Sequence, residues 1–300
     1  MSEEKFDAVV VGAGCAGCVA AYVLARAGLE VVVIERGNSA GSKNMTGGRL
    51  YAHSLERVMP GFAQEAPLER EVTRENVSLL TPDSAATLDY RSAMPRPPAE
   101  KSYTVLRARL DRWLMAKAEE AGAQLIPGIR VDEPIVRDGV VCGVRAGDDE
   151  IAADAVILAD GVNSLLAEKL GMRRRVAPSM AAVGVKELIG LSATEIEDRF
   201  QVQPGEGAAW LFAGAPTGGL TGGGFLYTNA ESVSLGLVCG LNAIERSGKS
   251  VPQMLEDFKQ HPAVAPLVRG GKLLEYSGHV VPEGGLGMVP RLVGDGVLVV

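Results

Sequence analysis

The chain has 300 residues, 47% of them apolar and 22% charged, which suits one large or two joined folded units and excludes a disordered chain. Its net charge of −7 excludes the basic field that would draw nucleic acid. The charged start Glu3-Glu4-Lys5 does not fit a signal peptide, and no apolar run is long enough for a spanning helix, so a cytoplasmic chain is expected.

Lys5–Val11 reads as a buried strand that feeds the turn Gly12-Ala13-Gly14-Cys15-Ala16-Gly17. Cys15–Ala27 follows as a helix ended by Gly28, and Val31–Glu35 is a second buried strand that closes on an acid. A G-x-G-x-x-G turn set between strand, helix, strand and acid points to a dinucleotide. In that role Gly12 permits the tight turn, Gly14 lets backbone approach a pyrophosphate, and Gly17 lets the helix lie close to the strand. The helix N-terminus near Ala16 would face the phosphates, and Glu35 would accept hydrogen bonds from a ribose hydroxyl. Cys15 and Cys18 read as small side chains filling tight space. With only Cys142 and Cys239 besides, an iron–sulfur cluster held by four cysteines of this segment is not expected.

A loop rich in Gly, Ser and Asn spans Gly37–Gly48, and residues 60–103 show no strong helical period, with a loop at Met94–Pro98. An amphipathic helix then runs from Leu106 through Ala118 to Gly122, with Leu110, Trp113 and Leu114 on one face. Ala123–Ile126 reads as a strand, and a hairpin of Gly128–Val136 and Val140–Ala146 turns at Asp138-Gly139. Asp154–Ala159 is another buried strand, ending on Asp160-Gly161-Val162-Asn163-Ser164 before a helix to Gly171. Asp160 and Gly161 suit a second cofactor contact, while Asn163 and Ser164 suit a helix cap. The second half reads as an antiparallel sheet with strands at Val183–Leu188, Ala208–Ala213, Gly224–Thr228, Ser232–Leu241 and Leu273–Val281, and a helix at Val251–His261. The three histidines are scattered, and no metal-ligand spacing or Ser-His-Asp arrangement is visible.

The glycine unit, the Arg107-x-x-Leu110-Asp111 helix start and the Ala159-Asp160-Gly161-x-Asn163-Ser164 turn, in that order, resemble two-domain FAD enzymes. Lys43-Asn44-x-Thr46-Gly47-Gly48-Arg49, Val183-Gly184-Val185-Lys186-Glu187 and Gly222-Gly223-Gly224-Phe225-Leu226-Tyr227-Thr228-Asn229 narrow the likeness. So do Ser234–Leu241, Phe258–Pro262 and Gly270–Ser277. These segments are similar to electron-transfer-flavoprotein:quinone oxidoreductases, and most of all to the bacterial FixC-like flavoproteins, over nearly the whole chain.

The resemblance implies an α/β fold of the glutathione-reductase or hydroxylase type, a Rossmann-like FAD-binding domain interleaved with an antiparallel-sheet domain for substrate or acceptor. The expected boundaries are 1–60, 100–175 and 282–300 for the first domain, and 61–99 and 176–281 for the second. FAD is the implied cofactor. Gly12, Ala13, Gly14, Cys15, Ala16 and Gly17 would hold its pyrophosphate, and Glu35 the adenosine ribose. Arg36 would lie near the adenine half, Arg107 near the phosphates, and Asp160 and Gly161 on the cofactor from a second loop. Gly47, Gly48 and Arg49 would flank the isoalloxazine ring.

Electrons would come from a two-subunit electron-transfer flavoprotein and leave to a quinone or similar acceptor, with a small ferredoxin-like subunit carrying iron–sulfur clusters. The same fold also serves flavin monooxygenases and isoprenoid reductases, which stay open as alternatives. The chain stops in the strand Gly296–Val300, where the resemblance calls for a Gly-Asp turn opening a helix. A piece of a longer protein is therefore expected, with a flavin-deficient truncated module as the rival reading. A peripheral contact with the inner face of the cell membrane also stays open. Leu50, Tyr51, Leu55, Val58, Met59 and Phe62 form one candidate surface for it, and a buried helix face is the competing reading.

Overall fold

The computed structural model describes residues 5–43, 48–92 and 94–300. The chain divides into two units, one built from Met1–Asn44, Ala108–Val176 and Gly284–Val300, the other from Met45–Arg107 and Ala177–Glu283.

The first unit is built on a sheet whose main path runs Val293–Gly294, Val297–Val299, Asp149–Leu158, Lys5–Val11, Val31–Glu35, Gln124–Pro127. The last five strands of that path are parallel, and Val293–Gly294 joins antiparallel. The valines explain the arrangement. Val9, Val10, Val32 and Val33 have no exposed surface, so both faces of these strands are buried, as parallel sheets require. The Cys15–Arg26 helix buries Gly17, Cys18, Ala21 and Ala25, small residues that let it lie close to the sheet. The expected hairpin forms between Glu133–Arg137 and Val140–Ala146, with Asp138 and Gly139 both at positive φ.

The second unit is a nine-stranded sheet with main order Lys272–Pro282, Ala181–Gly190, Ser232–Gly240, Gly222–Thr228, Glu206–Gly214, Leu68–Leu80, Ser102–Val105, Gly48–Tyr51. Ala85–Arg91 folds back on Leu68–Leu80 as a hairpin. Neighbours are antiparallel except Glu206–Gly214 and Leu68–Leu80, which run parallel. One face of the sheet is covered by the helices Ala193–Phe200 and Val251–Gln260, whose Ile196, Phe200, Met254, Leu255 and Phe258 join a core with Val185, Leu226, Leu235 and Leu237. The first of these helices opens on a capping box. The Ser192 hydroxyl accepts the Glu195 N–H, and the Glu195 carboxylate accepts the Ser192 N–H.

Two local expectations change. The segment after residue 60 is a 13-residue strand, Leu68–Leu80, whose inward positions include the polar Arg70, Asn76 and Ser78. Arg70 is tolerated inside because its guanidinium donates to the carbonyls of Asn229, Glu206 and Ala230 and to the Glu197 carboxylate. The Ala52–Val58 helix turns Leu55 inward, and Met59 and Phe62 just beyond it are buried too, so these three face the core, while Tyr51 stays exposed. Among the described residues no helix is long and apolar enough to cross a bilayer.

Candidate functional site

The glycine turn forms at the carboxyl ends of the parallel strands, where open α/β sheets bind their ligands. Gly12 donates its N–H to the Ile34 carbonyl at 2.8 Å, and Ala159 donates to the Val11 carbonyl at 2.9 Å. Two turns from neighbouring strands are thereby tied together. Gly12 sits at φ +105°, and a Cβ there would stand 2.4 Å from the Ala159 carbonyl oxygen. A Cβ on Gly17 would meet the Gly12 oxygen at 1.9 Å. Neither position admits a side chain.

The helix that follows has Gly14 as its N-cap, with no side-chain cap and no acid in its first turn. A helix leaves its first N–H groups without intrahelical partners, and here no side chain of the cap neutralises the positive end. Ala13 is fully buried behind the turn and Ala16 is exposed on it. Cys15 is half-buried, and its thiol donates to the Asp111 carboxylate at 3.1 Å. Cys18 is buried, with its sulfur 4.0 Å from that of Met115.

Glu35 ends its strand with only 8% of its surface exposed. One carboxylate oxygen accepts the Ala13 N–H at 2.8 Å, and the other accepts the Gly37 N–H at 2.6 Å. A carboxylate can accept about four hydrogen bonds, so two positions remain for a ligand hydroxyl. Arg36 is exposed just beyond it. The residues present thus fit a dinucleotide: a cradle that a Cβ would fill, an uncapped helix N-terminus, and an acid at the end of the second strand.

Asp160 follows Ala159 in the second turn. Burial pushes its carboxyl above the ordinary aspartate range, against the pull of the backbone N–H groups of Leu166, of Asp160 itself and of Leu165. Its oxygen accepts the Leu166 N–H at 3.0 Å, so Asp160 caps the Leu165–Lys169 helix. The cap expected of Ser164 is not made; its hydroxyl donates to the Gly161 carbonyl instead. Gly161 stands exposed at φ +83°.

The remaining expected positions belong to the second unit. Gly48 and Arg49 open its Gly48–Tyr51 strand, while Gly47 falls outside the described residues. Arg49 forks onto Glu75 at 2.8 and 2.9 Å, donates to the Ser102 hydroxyl, and lies 4.6 Å above the Tyr51 ring. The fork holds the Glu75 carboxyl below its usual range. Arg107 is half-buried at the start of its helix, near the buried Lys186. The glycines Gly222–Gly224 are packing glycines in this fold. Cβ atoms there would strike the Val238 carbonyl oxygen, the Phe212 carbonyl oxygen and the Phe258 ring.

Sequence reasoning named Asp111 only as part of a helix-start motif, without its contact to Cys15, and missed Glu75. Asp111 is a fully buried acid on an otherwise apolar helix face, and that contrast was its signal. Glu75 left no signal, because its partner Arg49 is 26 residues away in another strand.

Fold and turns define an FAD-binding oxidoreductase. A model of the FAD binding domain matches residues 5–207, and a model of the ETF-QO ubiquinone-binding region matches residues 182–281. The protein FixC of Escherichia coli strain K12 is 66% identical over 299 residues, a match spanning the whole of this chain and 70% of that protein. A probable electron transfer flavoprotein-quinone oxidoreductase of the same strain, YdiS, is 65% identical over 300 residues with the same coverage. A geranylgeranyl bacteriochlorophyll reductase-like structure from Thermoplasma acidophilum shares the fold, with a TM-score of 0.78 at 22% identity over 99% of this chain and 70% of that one. So does the myxobacterial halogenase CndH, with a TM-score of 0.77 at 17% identity over 99% of this chain and 68% of that one. The chain belongs to the FixC-like, ETF-QO-like family of FAD-dependent oxidoreductases.

Proposed function

We propose that the protein takes electrons from a two-subunit electron-transfer flavoprotein and passes them to a quinone, with a small ferredoxin-like iron–sulfur subunit as a further partner. The observation that carries this reading is the match of residues 182–281 to a ubiquinone-binding region in the same chain as the dinucleotide turn. The name of the YdiS relative points the same way.

FAD, when bound, supplies the redox chemistry. The backbone of Gly12, Ala13, Gly14, Cys15, Ala16 and Gly17 holds the pyrophosphate, helped by the uncapped helix end. Glu35 holds the adenosine ribose through the acceptor positions its two backbone donors leave open. Arg36 serves the adenine half, and Arg107 the phosphates. Asp160 and Gly161 close on the cofactor from the second turn. Gly48 and Arg49 would border the ring, with Glu75 fixing the Arg49 guanidinium. A quinone in the bilayer sets the place of action at the inner face of the cell membrane.

Turnover tests the proposal. The flavin-loaded protein, given reduced electron-transfer flavoprotein and ubiquinone-1, is expected to form ubiquinol-1. Failure with every electron-transfer flavoprotein from the same cell, with FAD in place, would overturn it.

A further inference from the structure

Lys186 is a lysine with 1% of its surface exposed in the middle of a sheet strand, and the FAD-binding turns make no use of it. Its strand neighbour Glu187 points to the helix-covered face and pairs there with Lys259 at 2.8 Å. By alternation Lys186 lies on the opposite face. Across the strands its partners are Gly236, which brings no side chain, and Ser277. The Ser277 hydroxyl is buried and has no hydrogen-bond partner among the described residues. Two positions along lie Glu275 and His279 on the Ser277 strand and Ser234 on the Gly236 strand, with Tyr227 opposite Ser234. Ser234 is taken up by the Asn229 amide. Arg107 and Glu275 both act on the Lys186 charge, in opposite directions. All these groups belong to the second unit, and Lys186, Ser234, Glu275 and Ser277 lie within the stretch matched to ubiquinone binding.

We propose that Lys186 is the residue from which the reduced acceptor takes a proton, with the unbonded Ser277 hydroxyl across the strand left to hold the acceptor. The inference deepens the quinone reading above and rests on it. Reduction of a quinone to a quinol adds two electrons, which the reduced cofactor supplies, and two protons. One proton leaves the Lys186 ammonium as its N–H bond breaks. It passes to a quinone carbonyl oxygen, where an O–H bond forms. The second proton comes from water, and water later returns a proton to the neutral amine.

Burial is what suits Lys186 to this work. A lysine in water keeps its proton too tightly to serve as an acid near neutrality, whereas desolvation, opposed by Glu275 and reinforced by Arg107, brings Lys186 down to about 8. A proton donor works best when its pKa lies near the working pH. His279 is a poorer candidate, since its Nδ1 already bonds the Val280 carbonyl.

The test uses the holoenzyme, reduced anaerobically and mixed in a stopped-flow instrument with ubiquinone-1 or with ferricyanide, which takes electrons without protons. In the wild type, quinone reduction is expected to fall as pH rises through about 8. Lys186→Met should lower the ratio of quinone to ferricyanide rates by about 100-fold at neutral pH, within the usual range for a general acid. Lys186→Arg keeps the charge but holds its proton, so it should lose the ratio equally and lose the limb near pH 8. Ser277→Ala should lower the ratio while leaving the limb in place. Recovery of the ratio by Lys186→Arg would overturn the inference, because charge alone would then suffice. A wild type that reduces quinone with no limb near pH 8 would overturn it too. A holoenzyme that reduces ferricyanide but no quinone would overturn the functional reading itself, and the inference with it.

Discussion

The carbonyl oxygen of Gly12 occupies the place where a Cβ on Gly17 would stand, at 1.9 Å. The turn and the first helical turn after it are thus one packed object, and the helix can approach the strand only with a bare backbone at Gly17. Gly17→Ala must push the helix away. We expect a loss of about 1–3 kcal/mol, the usual cost of overpacking, with most of the FAD lost on gel filtration. Flavin absorbance per protein and the thermal midpoint check both. Normal flavin content in this variant would place the cofactor elsewhere.

Glu35→Gln tests the ribose acid. Both carboxylate oxygens accept backbone N–H groups, from Ala13 and Gly37. An amide has only one acceptor oxygen, so its NH₂ must face one of the two donors. A cost of about 1–3 kcal/mol in stability follows for the stranded donor, with weaker FAD binding on top. Fluorescence titration of the apoprotein with FAD measures the second effect.

Lys186 carries a stability cost whose sign is fixed by its lowered pKa. The folded state binds fewer protons than the unfolded one between about 8 and the ordinary lysine value near 10.5, so stability rises with pH across that window. Lys186→Met removes the buried charge. It should stabilise the protein below about pH 8 by up to about 3 kcal/mol and lose that advantage by about pH 10.5. Denaturant melts of both proteins across that range check the window. A constant difference would show that packing, and not charge, sets it.

The pair Glu187–Lys259 predicts an asymmetry. Glu187 is almost wholly buried and is held at 2.8 Å by Lys259, which also reaches Glu256. Lys259→Met strands a buried carboxylate and should cost about 3 kcal/mol, whereas Glu187→Gln leaves Lys259 its second partner and should cost about 1 kcal/mol. The Lys259 ammonium stays above its usual range because the hydrogen bonds to Glu187 and Glu256 outweigh its desolvation. Its contribution is therefore present below the ordinary lysine value near 10.5 and lost as pH rises further. Urea melts of the two variants rank the costs.

Where side chains alternate or repeat plainly, the sequence alone suffices. The strands Lys5–Val11 and Val31–Glu35 appear with the limits expected, because continuous valine runs and the glycine turn leave no alternative. The Asp138-Gly139 hairpin was legible for the same reason, since only a two-residue turn fits that dipeptide. Leu68–Leu80 was not legible. Its inward Arg70, Asn76 and Ser78 break the apolar alternation, and their partners lie far along the chain, as with Arg70 and Asn229. The cap of the Leu165–Lys169 helix was expected from Asn163 and Ser164, whereas Asp160 supplies it from six residues before the N–H it accepts. In the site, glycine and acid positions were readable from spacing. The Cys15–Asp111 and Arg49–Glu75 contacts depend on tertiary packing and were not.

We propose that electrons reach this protein's FAD from an electron-transfer flavoprotein. An anaerobic titration of the flavin-loaded protein with reduced electron-transfer flavoprotein, followed by FAD absorbance, tests it most directly. Stoichiometric bleaching that is reversed on adding ubiquinone-1 is the predicted result. A flavin that NADPH bleaches and the electron-transfer flavoprotein does not would contradict the account and favour a monooxygenase or isoprenoid reductase.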